Sequence, residues 1–309
     1  MREIAYQLCD VFTDRPLEGN QLAVFPDASG LSDAEMQALA SETNLSETTF
    51  ICRREPTVEL ERGVRVRIFT TEEELPFAGH PTLGTAATIR TLFPEFCRAE
   101  KIVLDLNAGR VPVVFPGEKN GAGSEAAFGV MTQPQPIFGR VHQSADIAPL
   151  LGLRSDDLME KLAPQTVSTG LPFCVVVLRS VEALGRLRVQ LSQAEDYFAA
   201  VNKNRADDRE PQAKFFFAIA PEAPGKWRAR MQFYNGEDPA TGSASGCAIS
   251  YLVKHGMVAS GEEVHLRQGV EMHRPSDLYL SARLVDGKIN EVRVGGSTVL
   301  VANGRFFLR

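Results

Sequence analysis

The sequence FAGHPT at residues 77–82 decides how this chain folds, because it returns in altered form as ATGSAS at residues 240–245. The two segments align without gaps, and the similarity continues upstream. The matched pairs are Arg65 and Arg228, Arg67 and Arg230, Glu74 and Glu237, Pro76 and Pro239, and Gly79 and Gly242. Each copy is typical of a strand, an acidic turn, a proline, a glycine and a helix of small residues. This duplication predicts two similar halves that face each other across a cleft.

A helix is expected to begin at each glycine. The first N–H groups of a helix lack partners within the helix and lie at the positive end of its dipole, so they bind small anions. Gly79 and Gly242 would let the backbone approach such an anion closely. The alternative is that the glycines only make turns and the small residues only allow tight packing. The matched copies favour an enzyme that acts on a small carboxylate.

The composition is that of a globular protein, with 309 residues, 44% hydrophobic and 23% charged. This length suits two domains. The formal net charge of -6 gives no reason to expect nucleic acid or an anionic membrane as a partner. We find neither a signal peptide nor an apolar run of about 18 residues. The five cysteines are widely spaced, which argues against a disulfide framework or a zinc site and favours free thiols in the cytoplasm.

The strands outnumber the helices and several are consecutive, which predicts an α+β fold with mostly antiparallel pairing. Ser32 with Glu35, and Ser192 with Glu195, are predicted capping boxes. Residues 156–162 are predicted to be helical. The tail is predicted to be mostly strand, at 263–267 and 277–282 and then in three short strands at 291–294, 299–302 and 306–308. The turn-rich segment 117–123 is a candidate linker, but we favour a boundary near 133–136. The predicted domains are therefore residues 1–135 and 136–297.

Glu47 is the strongest candidate for an acid or base. It stands in a strand-like run between Ser46 and Thr48, where glutamate is disfavoured. An inward-facing carboxyl group would have to be paired or hold its proton more tightly than usual. Proton transfer near neutral pH needs such a group. An outward-facing surface glutamate is the alternative.

His80 and Ser243 occupy the same place in the two copies. A helix dipole favours neutral imidazole at its positive end, so we expect His80 to be a hydrogen-bonding group unless its role is only structural. Ser243 is equally well explained as an N-cap. Asp238 precedes a helix start, where an acid is favourable even without a function. Residues 72–74 are predicted to form a solvated acidic turn.

Several common site motifs are missing from the sequence. It has no GxGxxG after a strand, no Walker lysine, no HExxH and no GxSxG. Nucleotide-binding, zinc-protease and α/β-hydrolase interpretations therefore lack support, and we expect neither a cofactor nor a metal.

Five segments together resemble the PhzF family of phenazine-biosynthesis-like isomerases. They are LEGN with AVF at 17–25, NLSETTF at 44–50, LPFAGHP at 75–81, EDPATGSA at 237–244 and QGVE at 268–271. They occur in the order of the family and cover the chain nearly from end to end. Any one of them alone would be a weak signal, whereas the combination is specific.

The resemblance implies a fold similar to diaminopimelate epimerase and proline racemase. Two pseudo-symmetric domains would each wrap a curled, mostly antiparallel sheet around a central helix, with the active site in the cleft between them. A C-terminal strand, about 298–309, would return to the first domain. The implied protein is a homodimeric, cofactor-independent isomerase. Its substrate would be a small unsaturated or cyclic carboxylate such as trans-2,3-dihydro-3-hydroxyanthranilate.

The resemblance also implies roles for individual residues. Glu47 matches the general acid/base that moves the proton. The supporting active-site positions are matched by His80, Asp238 and Ser243. The residues assigned to the substrate-binding turns are Gly79, Gly242, Thr241 and Asn20.

Two alternatives remain open at this point. The racemase relatives use two cysteines, at positions that correspond here to about Ala78 and Thr241, so a two-base epimerase is disfavoured unless Cys247 approaches from one helical turn further on. A protein on the same scaffold that binds a small molecule or another protein without catalysis is the other alternative, because a fold does not imply turnover.

Overall fold

A computed structural model of the chain describes residues 1–117, 126–203, 209–234 and 236–308. The chain divides into two compact units, Met1–Thr132 with Gly295–Arg309, and Gln133–Val294. Both contain a sheet and helices, and the predicted α+β class is confirmed. Compact packing is not the same as independent folding, so the predicted domains 1–135 and 136–297 stay a prediction. The turn predicted over 117–123 lies, beyond Gly117, outside the described residues.

The first unit is built mainly of strands. Its strands are β1 (Arg2–Val11), β2 (Asn20–Phe25), β3 (Thr48–Cys52), β4 (Val64–Phe69), β5 (Glu74–Leu75), β6 (Lys101–Leu106), β7 (Gly109–Val114), β8 (Ala127–Thr132) and the end of β18 (Lys288–Leu308). Its helices are α1 (Asp33–Thr43), α2 (Pro56–Arg62) and α3 (Gly79–Leu92), with a 3-10 turn at Pro94–Phe96.

The sheet of this unit curls around α3. Its strand order is β1-β2-β3-β4-β6-β7-β8, with β2–β3 and β4–β6 parallel and the other pairs antiparallel. Strand β18 neighbours β8 and also pairs antiparallel with β1, from Thr298 opposite Val11 to Leu308 opposite Arg2. The residues of α3 from Gly79 to Ile89 are all buried, so α3 is the central helix of the unit.

The second unit repeats this plan with more helices. Its strands are β9 (Ile137–Val141), β10 (Gln165–Ser168), β11 (Pro172–Val177), β12 (Phe216–Ala223), β13 (Lys226–Arg230), β14 (Gln232–Phe233), β15 (Gly236–Glu237), β16 (Val264–Gln268), β17 (Ser276–Val285) and the start of β18. Its helices are α4 (Ser144–Leu150), α5 (Val181–Gly185), α6 (Leu191–Lys203) and α7 (Gly242–Lys254), with a 3-10 turn at Ser155–Asp157.

The sheet of the second unit runs in the order β17-β16-β13-β12-β11-β10-β9, and β13–β16 and β11–β12 are its parallel pairs. Helix α7 packs against β10, β11, β12 and β17. Its residues from Gly242 to Val253 are all buried, so α7 is the counterpart of α3.

Several local predictions can be compared with the observed elements. The capping box of Ser32 and Glu35 is confirmed, because each residue bonds the backbone of the other at the start of α1. The second capping box is wrong, since α6 already begins at Leu191 and Ser192 lies inside it. The helix predicted at 156–162 is only the 3-10 turn Ser155–Asp157, and the three tail strands are one continuous strand, β18.

Candidate active site

The internal repeat appears in the structure as the same ion pair in both units. Nε and Nη2 of Arg67 donate to the two oxygens of Glu74 at 2.8 and 2.6 Å. Arg230 donates to Glu237 through the same atoms at the same distances. The prediction that Glu74 lies in a solvated turn is therefore wrong. Hydrogen bonds from Arg67 hold the pKa of Glu74 below its usual range. Each pair fixes the short strand that leads into a glycine turn.

The two central helices also begin in the same way. Ala78 is the N-cap of α3 and Thr241 is the N-cap of α7, and neither side chain caps its helix. The carbonyl groups of these two residues accept hydrogen bonds from Thr82 Oγ1 at 2.7 Å and from Ser245 Oγ at 2.9 Å, which are matched positions. The interpretation of Ser243 as an N-cap is wrong, because Ser243 is the second residue of α7.

Glu47 lies at the end of a tight connection between α1 and β3. Helix α1 ends at Asn44, which has the left-handed φ of 51°. Glu47 follows three residues later and directly precedes β3, so the predicted strand begins after Glu47 rather than around it. Its side chain is only 18% exposed, and Oε2 lies 3.7 Å from Nε2 of His80. The carboxyl group therefore faces the start of α3 instead of pointing away from the protein.

His80 is the second residue of α3 and is 3% exposed. Burial lowers its pKa to about 3. A hydrogen bond with the backbone of Gln21 favours the charged ring and opposes this shift, but its effect is smaller. The ring is therefore neutral near pH 7. The prediction of a neutral hydrogen-bonding group is confirmed, although burial is the main cause and the helix dipole was the expected one.

Asn20 contacts the ring of His80. The amide nitrogen Nδ2 of Asn20, itself 2% exposed, lies 3.2 Å from Nδ1 of His80. In the tautomer in which Nδ1 accepts from this amide, the neutral ring carries its proton on Nε2. Sequence reasoning assigned Asn20 to the substrate, whereas the structure brings it against His80.

The Nε2–H group of His80 is buried and, among the described residues, has no hydrogen-bond partner. Its distance of 3.7 Å from Glu47 is too long for a hydrogen bond. An unpaired buried donor is costly, and in native proteins it calls for an explanation such as a ligand. The pair thus offers a carboxylate and a neutral N–H donor to the same small volume, which is what proton transfer to and from carbon requires.

In the second unit the predicted residues Asp238 and Thr241 form a hydrogen-bonded group with Gln268. Asp238 and Thr241 are each 8% exposed and Gln268 is fully buried. The Thr241 hydroxyl donates to Oδ2 of Asp238 at 2.6 Å, and the Gln268 side chain bonds both residues. Thr241, assigned from the sequence to the substrate, therefore faces Asp238.

Two further polar residues hold the first turn of α7. Nε2 of Gln133 donates to the Gly242 carbonyl at 2.9 Å, and Oγ1 of Thr169 donates to Oε1 of Gln133 at 2.6 Å. Ser243 is 4% exposed, and its carbonyl oxygen lies 3.3 Å from Oγ1 of Thr169, whose single proton goes to the shorter bond with Gln133. Sequence reasoning missed Gln133, Thr169 and Gln268. Only Gln268 lay in a motif, and the available signal was a glutamine at the end of a strand before a glycine.

Cys247 does not favour a two-base epimerase. Burial raises the pKa of its thiol to about 11, and Sγ lies 3.6 Å from Oγ1 of Thr169 and from the Leu171 carbonyl. A thiol of this kind stays protonated near pH 7 and is not a base.

No group of three or more His, Cys, Asp and Glu side chains in the described part of the chain could hold a metal ion. Within the same ranges, no helix has both the length and the apolar character needed to cross a membrane.

Two units that each wrap a curled sheet around a helix entered at a glycine form a fold that is shared with PhzF and proline-racemase-like structures. The crystal structure of a probable proline racemase from Agrobacterium radiobacter has this fold, with a TM-score of 0.64 at 12% identity over 99% of this chain and 93% of that one. A phenazine biosynthesis protein of the PhzF family from Bacillus anthracis superposes with a TM-score of 0.83 at 24% identity, over the full length of both chains.

The family model of phenazine biosynthesis-like proteins, PhzC-PhzF, matches residues 9–304, and the chain belongs to this family. It is 33% identical to the trans-2,3-dihydro-3-hydroxyanthranilate isomerase of Pseudomonas aeruginosa over 310 aligned residues. The alignment covers 98% of this chain and 99% of that protein. The protein is accordingly an isomerase of the PhzF type.

Proposed function

We propose that the protein is a cofactor-independent isomerase that moves a proton on a small unsaturated or cyclic carboxylate, with Glu47 as its general acid/base. The observation that carries this proposal is the largely buried Glu47 carboxyl group beside Nε2 of His80, a buried nitrogen with no hydrogen-bond partner among the described residues. The name of the Pseudomonas relative suggests trans-2,3-dihydro-3-hydroxyanthranilate as the type of substrate.

In the proposed reaction Glu47 removes an acidified proton from carbon and leaves a delocalised carbanion or enol. The same carboxyl group then returns the proton to another carbon on the same face. One acid/base is sufficient when both carbons lie within its reach. The neutral His80 donates from Nε2 to the oxygen or nitrogen on which charge develops, and a neutral donor does this without attracting the proton away from Glu47.

The remaining residues are proposed to hold the substrate. The first N–H groups of α3 and α7, at Gly79 and Gly242, suit a carboxylate because no side chain caps either helix. Asp238 is the proposed acceptor for a hydroxyl or amino substituent, and Ser243 the proposed further hydrogen-bonding group.

The deciding experiment follows proton exchange by NMR. Trans-2,3-dihydro-3-hydroxyanthranilate is incubated in D₂O with the wild-type protein, with Glu47→Gln and with Glu42→Gln. The last is a matched control, because Glu42 is an exposed glutamate near the end of α1. We expect isomerisation and deuterium incorporation with wild type and Glu42→Gln, and a loss of at least about 10³-fold with Glu47→Gln.

Each failure would have a definite meaning. Full turnover by Glu47→Gln would disprove the role of Glu47. If the wild-type protein catalysed no exchange, trans-2,3-dihydro-3-hydroxyanthranilate would be excluded as its substrate. Inactivity toward a wider panel of unsaturated amino acids and keto acids would favour the non-catalytic alternative.

We also propose, from the family resemblance alone, that the protein works as a homodimer in the cytoplasm. Light scattering after gel filtration tests the first part. We expect twice the mass of one chain, and the mass of a single chain would contradict the homodimer.

A further inference from the structure

Gln268 ends strand β16 and makes three hydrogen bonds to the turn before α7. Its Oε1 accepts from the Thr241 N–H at 3.0 Å. Its Nε2 donates to the Asp238 carbonyl at 2.8 Å and to Thr241 Oγ1 at 2.9 Å. The backbone donor and the backbone acceptor fix which end of the amide is oxygen and which is nitrogen. Gln268 therefore bonds both the first and the last residue of the segment from Asp238 to Thr241.

This arrangement gives the Thr241 hydroxyl a fixed direction. The hydroxyl accepts a hydrogen from Gln268, so its own single proton is available for Asp238. It donates to Oδ2 of Asp238 at 2.6 Å. A hydroxyl that was not held in this way could rotate and donate elsewhere. The amide of Gln268 thus acts on the Asp238 carboxylate through Thr241.

Close backbone packing makes the contact rigid. Gly269, the next residue, has a φ of +75°, and a Cβ atom there would lie 2.3 Å from the Arg274 carbonyl oxygen and 2.7 Å from that of Pro239. Only glycine fits this position without displacing the backbone. Gln268 and Gly269 therefore dock together against the turn, which leaves the amide little freedom.

The first unit has the matching strands and turn but lacks the polar cluster that Asp238, Thr241 and Gln268 form in the second unit. Strands β4 and β6 run parallel with Arg65 opposite Asp105, and β13 and β16 run parallel with Arg228 opposite Arg267. This register and the gap-free alignment of the two turns give three matched pairs. They are Leu75 with Asp238, Ala78 with Thr241, and Leu106 with Gln268.

The comparison shows that the fold does not need the polar set. Ala78 and Leu106 are buried at 3% exposure each, so apolar side chains fill these places in the first unit. Burying polar groups costs free energy unless every group is paired, and apolar residues of similar shape are often as stable. A fully paired polar group in only one of two repeats therefore points to a function of that repeat.

We propose that Gln268 is a positioning residue of the isomerase. Its amide commits the Thr241 hydroxyl to Asp238 and so fixes the direction from which the Asp238 carboxylate accepts a hydrogen bond from the substrate. This inference rests on the proposed function, in which Asp238 contacts the substrate.

The kinetic test compares Thr241→Val with Thr241→Ser. Valine keeps the shape and loses the hydroxyl, and serine keeps the hydroxyl and loses the methyl group. We expect Thr241→Val and Gln268→Leu to lower kcat roughly 10- to 100-fold with KM changed less than about threefold. Thr241→Ser should stay within about threefold of wild type. If Thr241 had a purely structural role, the kcat of Thr241→Val would be at least as high as that of Thr241→Ser. That result would overturn the proposal.

The double variant tests whether Gln268 acts through Thr241. If it does, Gln268→Leu with Thr241→Val loses no more activity than the worse single variant. Losses that multiply would contradict an action through Thr241. Gln165→Leu is the control, because Gln165 is also a buried strand glutamine of this unit and its side chain bonds the Gly139 carbonyl of the neighbouring strand β9. It should lower the melting temperature and leave kcat unchanged.

A crystal structure separates this proposal from the proposed function. In Gln268→Leu the distance between Thr241 Oγ1 and Asp238 Oδ2 should exceed 3.5 Å, a limit for a hydrogen bond, in place of 2.6 Å. An unchanged distance would overturn the positioning role whichever substrate the enzyme takes. Inactivity of the wild-type protein with a lengthened bond in the variant would refute only the proposed substrate.

Discussion

At the scale of single residues, the neutral state of His80 affects stability as well as chemistry. The folded ring takes up a proton only near pH 3, because it is buried. A histidine in the unfolded chain takes one up near pH 6.5. Between these values the unfolded chain binds more protons, so the free energy of unfolding falls as the pH falls below about 6.5. The stability that a neutral His80 preserves is therefore present at pH 7 and is lost on acidification.

We expect this residue to account for about 2 kcal/mol of stability lost between pH 7 and pH 5. Urea unfolding of wild type and His80→Gln at both pH values measures it. His142, whose pKa burial lowers to about 4, contributes to both proteins and cancels in the comparison. Equal losses in the two proteins would mean that the folded ring is protonated or accessible.

The sequence could reveal Glu47 and His80 because each stands out locally, one as an acid beside β-favouring residues and one beside a repeated glycine. The contacts of Asn20 and Gln268 could not be predicted in this way. Asn20 reaches His80 across 60 positions of the chain, and Gln268 reaches Thr241 through the parallel pairing of β13 with β16. Such contacts depend on sheet register, which local patterns do not determine.

At the scale of elements, the two matched ion pairs differ in burial and should differ in energy. The side chain of Arg230 is 4% exposed and that of Arg67 is 18% exposed. Each arginine has a second acidic neighbour, Asp33 at 2.6 Å from Arg67 and Glu271 at 4.0 Å from Arg230. Burial opposes the charged form of Glu237, but hydrogen bonds from Arg230 and Gln232 outweigh it and keep its pKa below the usual range.

We therefore expect Glu237→Gln to destabilise the protein by about 3 kcal/mol and Glu74→Gln by about 1 kcal/mol or less. The larger loss reflects a guanidinium group left buried without its main partner. Chemical denaturation of both variants gives the two values. A larger loss for Glu74→Gln would show that burial does not determine the energy of these pairs.

Strand β18 shows why element boundaries were harder to predict than elements. Its glycines at 295, 296 and 304 stand in the gaps between the three short strands predicted from the sequence. In the sheet they mark close approach instead, because a Cβ atom at Gly304 would lie 2.7 Å from the ring of Tyr6 and one at Gly295 would lie 3.0 Å from Val130. Glycine in a strand can serve either purpose, and only the neighbouring strands decide which.

At the scale of the whole molecule, β18 ties the end of the described chain to its beginning. Phe306 packs against Tyr6 and Phe25, with ring centroids 5.1 and 5.8 Å apart. The next residue, Phe307, points to the other side of the sheet and is 58% exposed. The two phenylalanines are therefore a matched pair for measuring what this strand contributes.

Phe306→Ala should lower the free energy of unfolding by about 2 kcal/mol, and Phe307→Ala by less than about 0.5 kcal/mol. The first change removes aromatic packing and the second removes a side chain mostly in water. Guanidinium unfolding of both variants tests this. Equal effects would mean that β18 is held by its backbone bonds alone.

The pairing of β1 with β18 also has a consequence for biosynthesis. Arg2 lies opposite Leu308, so β1 leaves the ribosome long before its partner has been translated. Until then one side of β1 is an open edge, and such edges invite pairing with other chains. The residues from Gln133 to Val294 meet no such delay, since their own unit contains no part of β1. The half of the protein that is made first is thus the half that is completed last.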